Sequence, residues 1–121
     1  MSEIDIKIEK YLAMKLGYLP VMALTVRHTD PDTAQSCQSL TLELLKGEQI
    51  VTLRFSGLRQ LRIADLHPGS SAILGIKSVA HDQMEGLRYR VFNLEQDLTL
   101  SFYCADFEFQ YRLAVHSSRL A

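Results

Sequence analysis

The chain has 121 residues, of which 47% are hydrophobic and 22% are charged, and 13 basic residues stand against 14 acidic ones. This size and composition are typical of one folded domain, and they exclude a disordered chain, a collagen-like chain and a coiled-coil rod. A net charge of −1 leaves no basic excess for non-specific phosphate binding, so nucleic acid is not an expected partner.

No stretch of the sequence approaches the roughly 20 apolar residues that a membrane-spanning helix needs. The N-terminus, Met-Ser-Glu-Ile-Asp-Ile-Lys, carries acid where a signal peptide needs base. The sequence therefore predicts a cytoplasmic protein with no membrane partner. In that compartment Cys37 and Cys104 are expected to be reduced thiols.

The N-terminal segment, residues 1–17, contains a predicted helix over residues 3–16. Ser2 is a good N-cap, and Gly17 stands where a left-handed residue can end the helix. The apolar residues of the segment form one stripe of Ile4, Ile8, Tyr11, Leu12 and Leu16. A strand is the alternative, because isoleucines alternate with charged residues at its start, but the caps at both ends favour the helix.

Residues 18–116 show an apolar–polar alternation of period two, which predicts antiparallel strands separated by short turns. The predicted strands cover residues 21–27, 40–44, 51–55, 58–63, 73–79, 88–94, 98–104 and 107–115. Glycines mark turns at residues 46–48, 57 and 67–69, and residues 95–97 are a predicted hairpin loop. Residues 117–121 are predicted to form a tail.

The apolar face changes phase near the end of the chain. In one predicted strand the apolar residues are even-numbered: Leu98, Leu100, Phe102 and Cys104. In the next they are odd-numbered: Phe107, Phe109, Tyr111, Leu113 and Val115. Since a slip of one residue turns an apolar face towards solvent, a bulge, a tight turn or a bend into a second sheet must lie at residues 105–106.

These elements predict an α+β, mainly β, fold in a single domain over residues 1–121. One N-terminal helix is followed by about seven or eight antiparallel strands. The strands are expected to form a curved sheet, a sandwich or a partly open barrel.

The sequence predicts no catalytic, cofactor-binding or metal-binding residues. It has no G-x-S-x-G elbow, no P-loop and no dinucleotide fingerprint, and its four histidines lack the spacing of a metal site. Acid pairs at 30/32, 95/97 and 106/108 lie in or beside predicted turns, where solvated carboxylates are common.

Arginines in the predicted strands are the best candidates for binding a partner. An arginine on a sheet face can bind an acidic partner or a phosphate. Cross-strand ion pairs with Glu43, Glu95 and Glu108 explain the same pattern. The candidate partner-binding residues are Arg54, Arg59, Arg62, Arg88, Arg90 and Tyr103.

Two segments, residues 51–63 and 98–109, resemble a known family. In the first a strand ends in Arg-Phe-Ser-Gly, and the second carries Phe-Tyr-Cys. Over about residues 20–110 the pattern resembles small bacterial β-rich domains of the polymorphic-toxin immunity proteins, in the family numbered fifty. That family tends to have a Trp-Pro-containing segment near its start, whereas this chain has no tryptophan. The resemblance implies a protein that binds a toxin-like partner without catalysis.

Three functional hypotheses follow. The favoured one is a non-catalytic, immunity-like domain that binds another protein and uses no cofactor. The alternative is a small-molecule-binding or enzymatic domain with an aromatic pocket in a curved sheet, lined by Phe92, Phe102, Phe107, Phe109 and Tyr111. The third is a homo-oligomer that hides an edge strand.

Overall fold

The computed structural model describes residues 3–17, 19–29, 37–67, 69–79, 86–94 and 98–113, without the side chains of Thr29 and Cys37. These ranges contain one helix, α1 (Glu3–Ala13), and nine strands. The strands are β1 (Leu19–Thr29), β2 (Cys37–Lys46), β3 (Gln49–Ser56), β4 (Arg59–Ala64), β5 (Ser71–Ala72), β6 (Leu74–Ser78), β7 (Tyr89–Asn93), β8 (Thr99–Cys104) and β9 (Asp106–Leu113).

Helix α1 confirms the helical interpretation of the N-terminal segment, but it ends at Ala13 rather than at Leu16. The amides of Met14 and Lys15 bond to carbonyls three residues earlier, so the last turn tightens. Lys15 then has a φ of 48°, which is left-handed, and it turns the chain before Gly17 is reached. The predicted cap, Ser2, lies outside the described residues.

The apolar stripe of α1 is as predicted except at one position. Tyr11 is buried, and Ile4, Ile8 and Leu16 pack against the core. Leu12, however, is 58% exposed. Adjacent helical residues are separated by about 100° around the axis, so only one of Tyr11 and Leu12 can point directly into the core. The tyrosine takes that position.

The strands form two antiparallel sheets, neither of which closes into a barrel. The five-stranded sheet has the order β5-β1-β2-β3-β9, and the four-stranded sheet has the order β4-β8-β7-β6. Every strand pair within them is antiparallel. The prediction of a mainly β fold with an N-terminal helix is thereby confirmed.

One hydrophobic core fills the space between the two sheets. Alternate residues of β2, β3 and β8 supply half of its buried residues: Leu40, Leu42, Leu44, Val51, Leu53, Phe55, Leu100, Phe102 and Cys104. Helix α1 packs onto the same core through Tyr11, which meets the Phe107 ring edge-on. The Tyr11 hydroxyl donates a hydrogen bond of 2.9 Å to the carbonyl of Leu74 on β6.

The predicted change of apolar phase is a bend from one sheet into the other. Strand β8 belongs to the four-stranded sheet and β9 to the five-stranded sheet, with Ala105 alone between them. Strands β3 and β4 make the same crossing beside it, and the Ala105 amide donates to the Ser56 carbonyl at 2.9 Å. Gly57 has a φ of 66°, and a Cβ there would lie 2.8 Å from the Ala105 Cβ. Glycine is therefore required at this corner.

The other two predicted glycine turns, at residues 46–48 and 67–69, are also confirmed. Strands β2 and β3 pair up to Lys46 and Gln49, which leaves a two-residue turn that begins with Gly47 at a φ of 62°. At the second turn, Gly69 has a φ of 91°, and the Ser70 amide donates to the His67 carbonyl at 3.0 Å.

The apolar residues of β9 do not all reach the core. Phe107 is buried, but Tyr111 is 41% and Leu113 is 69% exposed. The strand lies at the edge of its sheet, so towards its end it passes beyond the cover of the opposite sheet. Val115 lies outside the described residues, as does the predicted loop at residues 95–97.

Candidate functional site

The six candidate residues separate into one group and two single residues. The group lies on the outer face of the four-stranded sheet and consists of Arg59, Arg62, Arg90 and Tyr103. Arg54 is exposed on β3, in the other sheet, where it lies opposite Glu108 of β9. Arg88 immediately precedes β7 and lies apart from both.

Strand register aligns one residue from each strand across the outer face of the four-stranded sheet. Arg59 on β4 lies opposite Tyr103 on β8, which lies opposite Arg90 on β7, which lies opposite Lys77 on β6. Directly paired residues project from the same face of an antiparallel sheet. We call these four residues the basic row.

A β-bulge in β4 adds a further cation to this face. Residues three apart in a regular strand point to opposite faces. The register of β4 shifts between Arg59 and Arg62, and Gln60 has a φ of 56°. Arg62 therefore lies opposite Ser101, on the same face as the basic row, while Leu61 packs against the core.

Two aromatic rings lie among these cations. The Arg90 Cζ is 5.0 Å from the ring centroid of Phe92 and 6.0 Å from that of Tyr103, within the range of cation–π attraction. Phe92 lies opposite Gly75 on β6, where an added Cβ would come within 2.8 Å of the ring, so the ring covers the glycine. A shallow depression of about 140 Å³ on this face is bordered by Gln60, Arg62, Arg90, Ser101, Phe102 and Tyr103.

The four strands of this sheet contain no aspartate or glutamate. Their cationic residues are Arg59, Arg62, Lys77 and Arg90. Within the part of the chain that the structure describes, none of these four forms an ion pair with a carboxylate. The predicted cross-strand pairing of charges is therefore wrong for the described part of this sheet.

On the five-stranded sheet the same prediction is confirmed. The Arg112 Nη2 on β9 is 3.1 Å from the Glu43 Oε2 on β2. Glu43 lies opposite Thr52 on β3, so the ion pair reaches from β9 to β2 over the middle strand. Thr52 is buried although it lies on the outer face.

The charge of Arg88 acts on an ion pair that joins helix α1 to strand β9. The Lys7 Nζ of α1 is 2.7 Å from the Asp106 Oδ1 at the start of β9. Burial by itself would raise the pKa of Asp106. Hydrogen bonds from Lys7 and from the Phe107 amide, with the charges of Lys7 and Arg88, lower it overall. This cluster has a structural explanation, because it fastens α1 to β9.

The five aromatic residues predicted to line a ligand pocket do not surround one cavity in the described part of the chain. Phe102 and Phe107 are packed in the core against Phe55, whereas Phe92 lies on an outer face and Tyr111 is exposed. A cavity of about 340 Å³ lies instead between α1 and β9, lined by Glu3, Ile6, Lys7, Lys10, Glu108 and Phe109. Four of its six lining residues are charged, whereas the predicted pocket is lined by aromatic residues alone.

Cys104, the last residue of β8, has a free thiol that is fully buried. Burial raises the pKa of this thiol to about 12, so it is protonated at neutral pH and is a poor nucleophile. This burial agrees with the place of Cys104 on the predicted apolar face of its strand.

Metal and membrane features can be stated only for the described ranges. Among these residues, no three His, Cys, Asp or Glu side chains are placed to hold a metal ion. Asp30, Asp32 and His81 lie outside them. The helix in these ranges is not long and apolar enough to cross a membrane.

Comparison with protein families decides the class of this chain. Residues 3–110 match the family model described as immunity protein PIM8. The chain belongs to the PIM8 family. The predicted immunity-protein resemblance is therefore confirmed as to class, but the family is PIM8 and not the one numbered fifty. Searches of the curated proteins and of the solved structures found no match.

The PIM8 match includes α1, strands β1 to β8, the first part of β9 and all residues of the basic row. Membership in an immunity family implies a protein that binds a partner protein, such as a toxin, and does not act by catalysis. The role of the individual candidate residues stays a prediction.

Two residues on the outer face of the four-stranded sheet, Lys77 and Phe92, are not among the predicted partner-binding residues. Lys77 joins the face through the β6–β7 pairing, which connects residues on either side of a long segment. Phe92 was expected in a pocket, although it has the same parity as Arg90 in one strand. That parity is a signal by which it could have been placed on the outer face.

Proposed function

We propose that this PIM8 family member neutralises a toxin by binding it and covering part of its surface. The observation that carries the proposal is the family match over residues 3–110. Arginine and aromatic side chains are enriched at protein–protein interfaces, and both occur together on the outer face of the four-stranded sheet.

A rigid sheet suits inhibition by surface coverage. The inward side chains of β7 and β8, such as Val91 and Phe102, are fully buried in the core. The outward side chains on the same strands are therefore held on a preformed surface, and binding orders little additional backbone. Preorganisation of this kind favours affinity.

The proposal is tested by co-expression with a candidate toxin, chosen as a toxin-like protein encoded by a gene beside that of this chain. In a bacterial host, the toxin alone is expected to stop growth, and co-expression of the chain is expected to restore it. Purified toxin and chain should also elute as one complex in size-exclusion chromatography.

The matched control is Leu53→Asp, which buries a charge in the core and is expected to abolish folding and protection. Full toxicity in cells that contain the soluble, folded wild-type chain, with no complex formed by the purified proteins, would contradict the proposed function.

A further inference from the structure

The basic row has an arrangement that folding alone does not favour. Arg90 and Lys77 are direct cross-strand partners, and like charges at such positions destabilise a sheet. No carboxylate in the strands of this sheet offsets them. In the five-stranded sheet, by contrast, Arg112 has an ionic partner in Glu43. Among the residues that the structure describes, the cations of the four-stranded sheet have no carboxylate partner, and their arrangement therefore needs another explanation.

We infer that the outer face of the four-stranded sheet is the docking surface for the partner, and that the partner presents a carboxylate-rich protein surface to it. The inference rests on the proposed function and names its site. Three of the four cations on this face are arginines, and the guanidinium group can bind a carboxylate through two parallel hydrogen bonds. Charge complementarity thus selects an acidic partner.

The size and composition of the face fit the central part of a protein interface. Neighbouring strands lie about 4.8 Å apart, so the basic row extends roughly 14 Å across the sheet. Tyr103 stands within the row, between Arg59 and Arg90. Tyrosine and arginine are the residue types that most often dominate binding energy at such positions.

A protein partner fits this face better than a nucleic acid. The whole chain has a net charge of −1, so the cations form a local patch and not a general basic surface. Arg90 lies within cation–π range of Phe92 and Tyr103, and the Phe92 ring also covers Gly75. A single-stranded nucleic acid would need free aromatic faces on which its bases could stack.

The test is the dissociation constant of the purified toxin for three charge-reversal variants. Lys77→Glu and Arg90→Glu change the basic row, and the matched control Arg27→Glu changes an exposed residue of β1 opposite Ser39. The two row variants are expected to bind about tenfold more weakly or worse, and the control within roughly twofold of wild type.

Lys77→Glu also separates binding from folding. It places opposite charges on directly paired residues, so its urea midpoint is expected to stay the same or to rise while its affinity for the toxin falls. A loss of binding in this variant cannot then be explained by unfolding.

Wild-type affinity in both row variants would overturn the inference, and it would leave the proposed function intact. No binding by the wild-type chain would instead defeat the proposed function. A single-stranded oligonucleotide serves as the second probe. If it binds the wild-type chain and the row variants lose that binding while they keep the toxin, the face belongs to a nucleic acid and the inference is wrong.

Discussion

Three ionisable side chains, Tyr11, Tyr89 and Cys104, are buried in the core and are neutral in the folded chain at neutral pH. Burial raises the pKa of Tyr11 and of Cys104 to about 12, from ordinary values of 10.0 and 9.0, and it also raises the pKa of Tyr89. As the pH rises, the unfolded chain therefore loses these protons before the folded chain does. The stability that results is fully present below about pH 9 and is lost as the pH approaches 12.

We expect the free energy of unfolding to fall between about pH 9 and pH 12. Each group that is deprotonated only in the unfolded chain lowers it by up to roughly 1.4 kcal/mol per pH unit. Urea unfolding at a series of pH values measures it. In Tyr11→Phe the decline should be shallower, because one of the three groups is gone. That variant should also be about 1 kcal/mol less stable at neutral pH, since the Leu74 carbonyl loses its hydrogen bond. A flat profile up to pH 11 would contradict this explanation.

At the scale of the elements, the fold depends on the paired corners where β3 passes into β4 and β8 passes into β9. A Cβ added at Gly57 would lie 2.8 Å from the Ala105 Cβ, and a backbone hydrogen bond from the Ala105 amide to the Ser56 carbonyl joins the corners. Gly47 offers a matched comparison, because it has a similar φ of 62° but no neighbouring atom within 4 Å of an added Cβ. Alanine at either position is strained, but only at Gly57 would its Cβ also collide with a neighbour, the Ala105 Cβ.

We predict that Gly47→Ala lowers the unfolding free energy by about 1–2 kcal/mol, the cost of a left-handed alanine. Gly57→Ala should cost roughly 1–3 kcal/mol more, because its Cβ overpacks the corner. Urea denaturation of both variants measures the difference. The double variant Gly57→Ala/Ala105→Gly should recover the excess. Equal losses in Gly47→Ala and Gly57→Ala would show that the corner contact does not matter.

The sequence predicts these elements well where the local pattern of apolar and polar residues determines them. Period-two alternation locates the strands, and the shift from even to odd apolar positions locates the bend at Ala105. The bulge in β4 was not predicted, because Gln60 is not a residue type that marks a left-handed conformation. Without the bulge, Arg59 and Arg62 could not be assigned to one face.

At the scale of the whole molecule, the two sheets share a core but display different surfaces. The outer face of the five-stranded sheet carries both signs of charge, including the Arg112–Glu43 ion pair. The strands of the four-stranded sheet carry only cations. This contrast could not be read from the sequence, because it depends on which strands share a sheet. The pairing of β4 with β8 joins residues about 40 positions apart, and local pattern does not encode such pairing. That this chain forms a homo-oligomer stays a prediction.

The central claim is that this immunity protein binds its toxin through the outer face of the four-stranded sheet. The most direct measurement is modification by an arginine-selective dicarbonyl reagent, read by mass spectrometry for the chain alone and for the chain saturated with toxin. The claim predicts that the toxin protects Arg59, Arg62 and Arg90, while Arg27 and Arg54 of the other sheet react as in the free chain. Protection of Arg27 and Arg54, with Arg59, Arg62 and Arg90 still fully reactive in the complex, would contradict it.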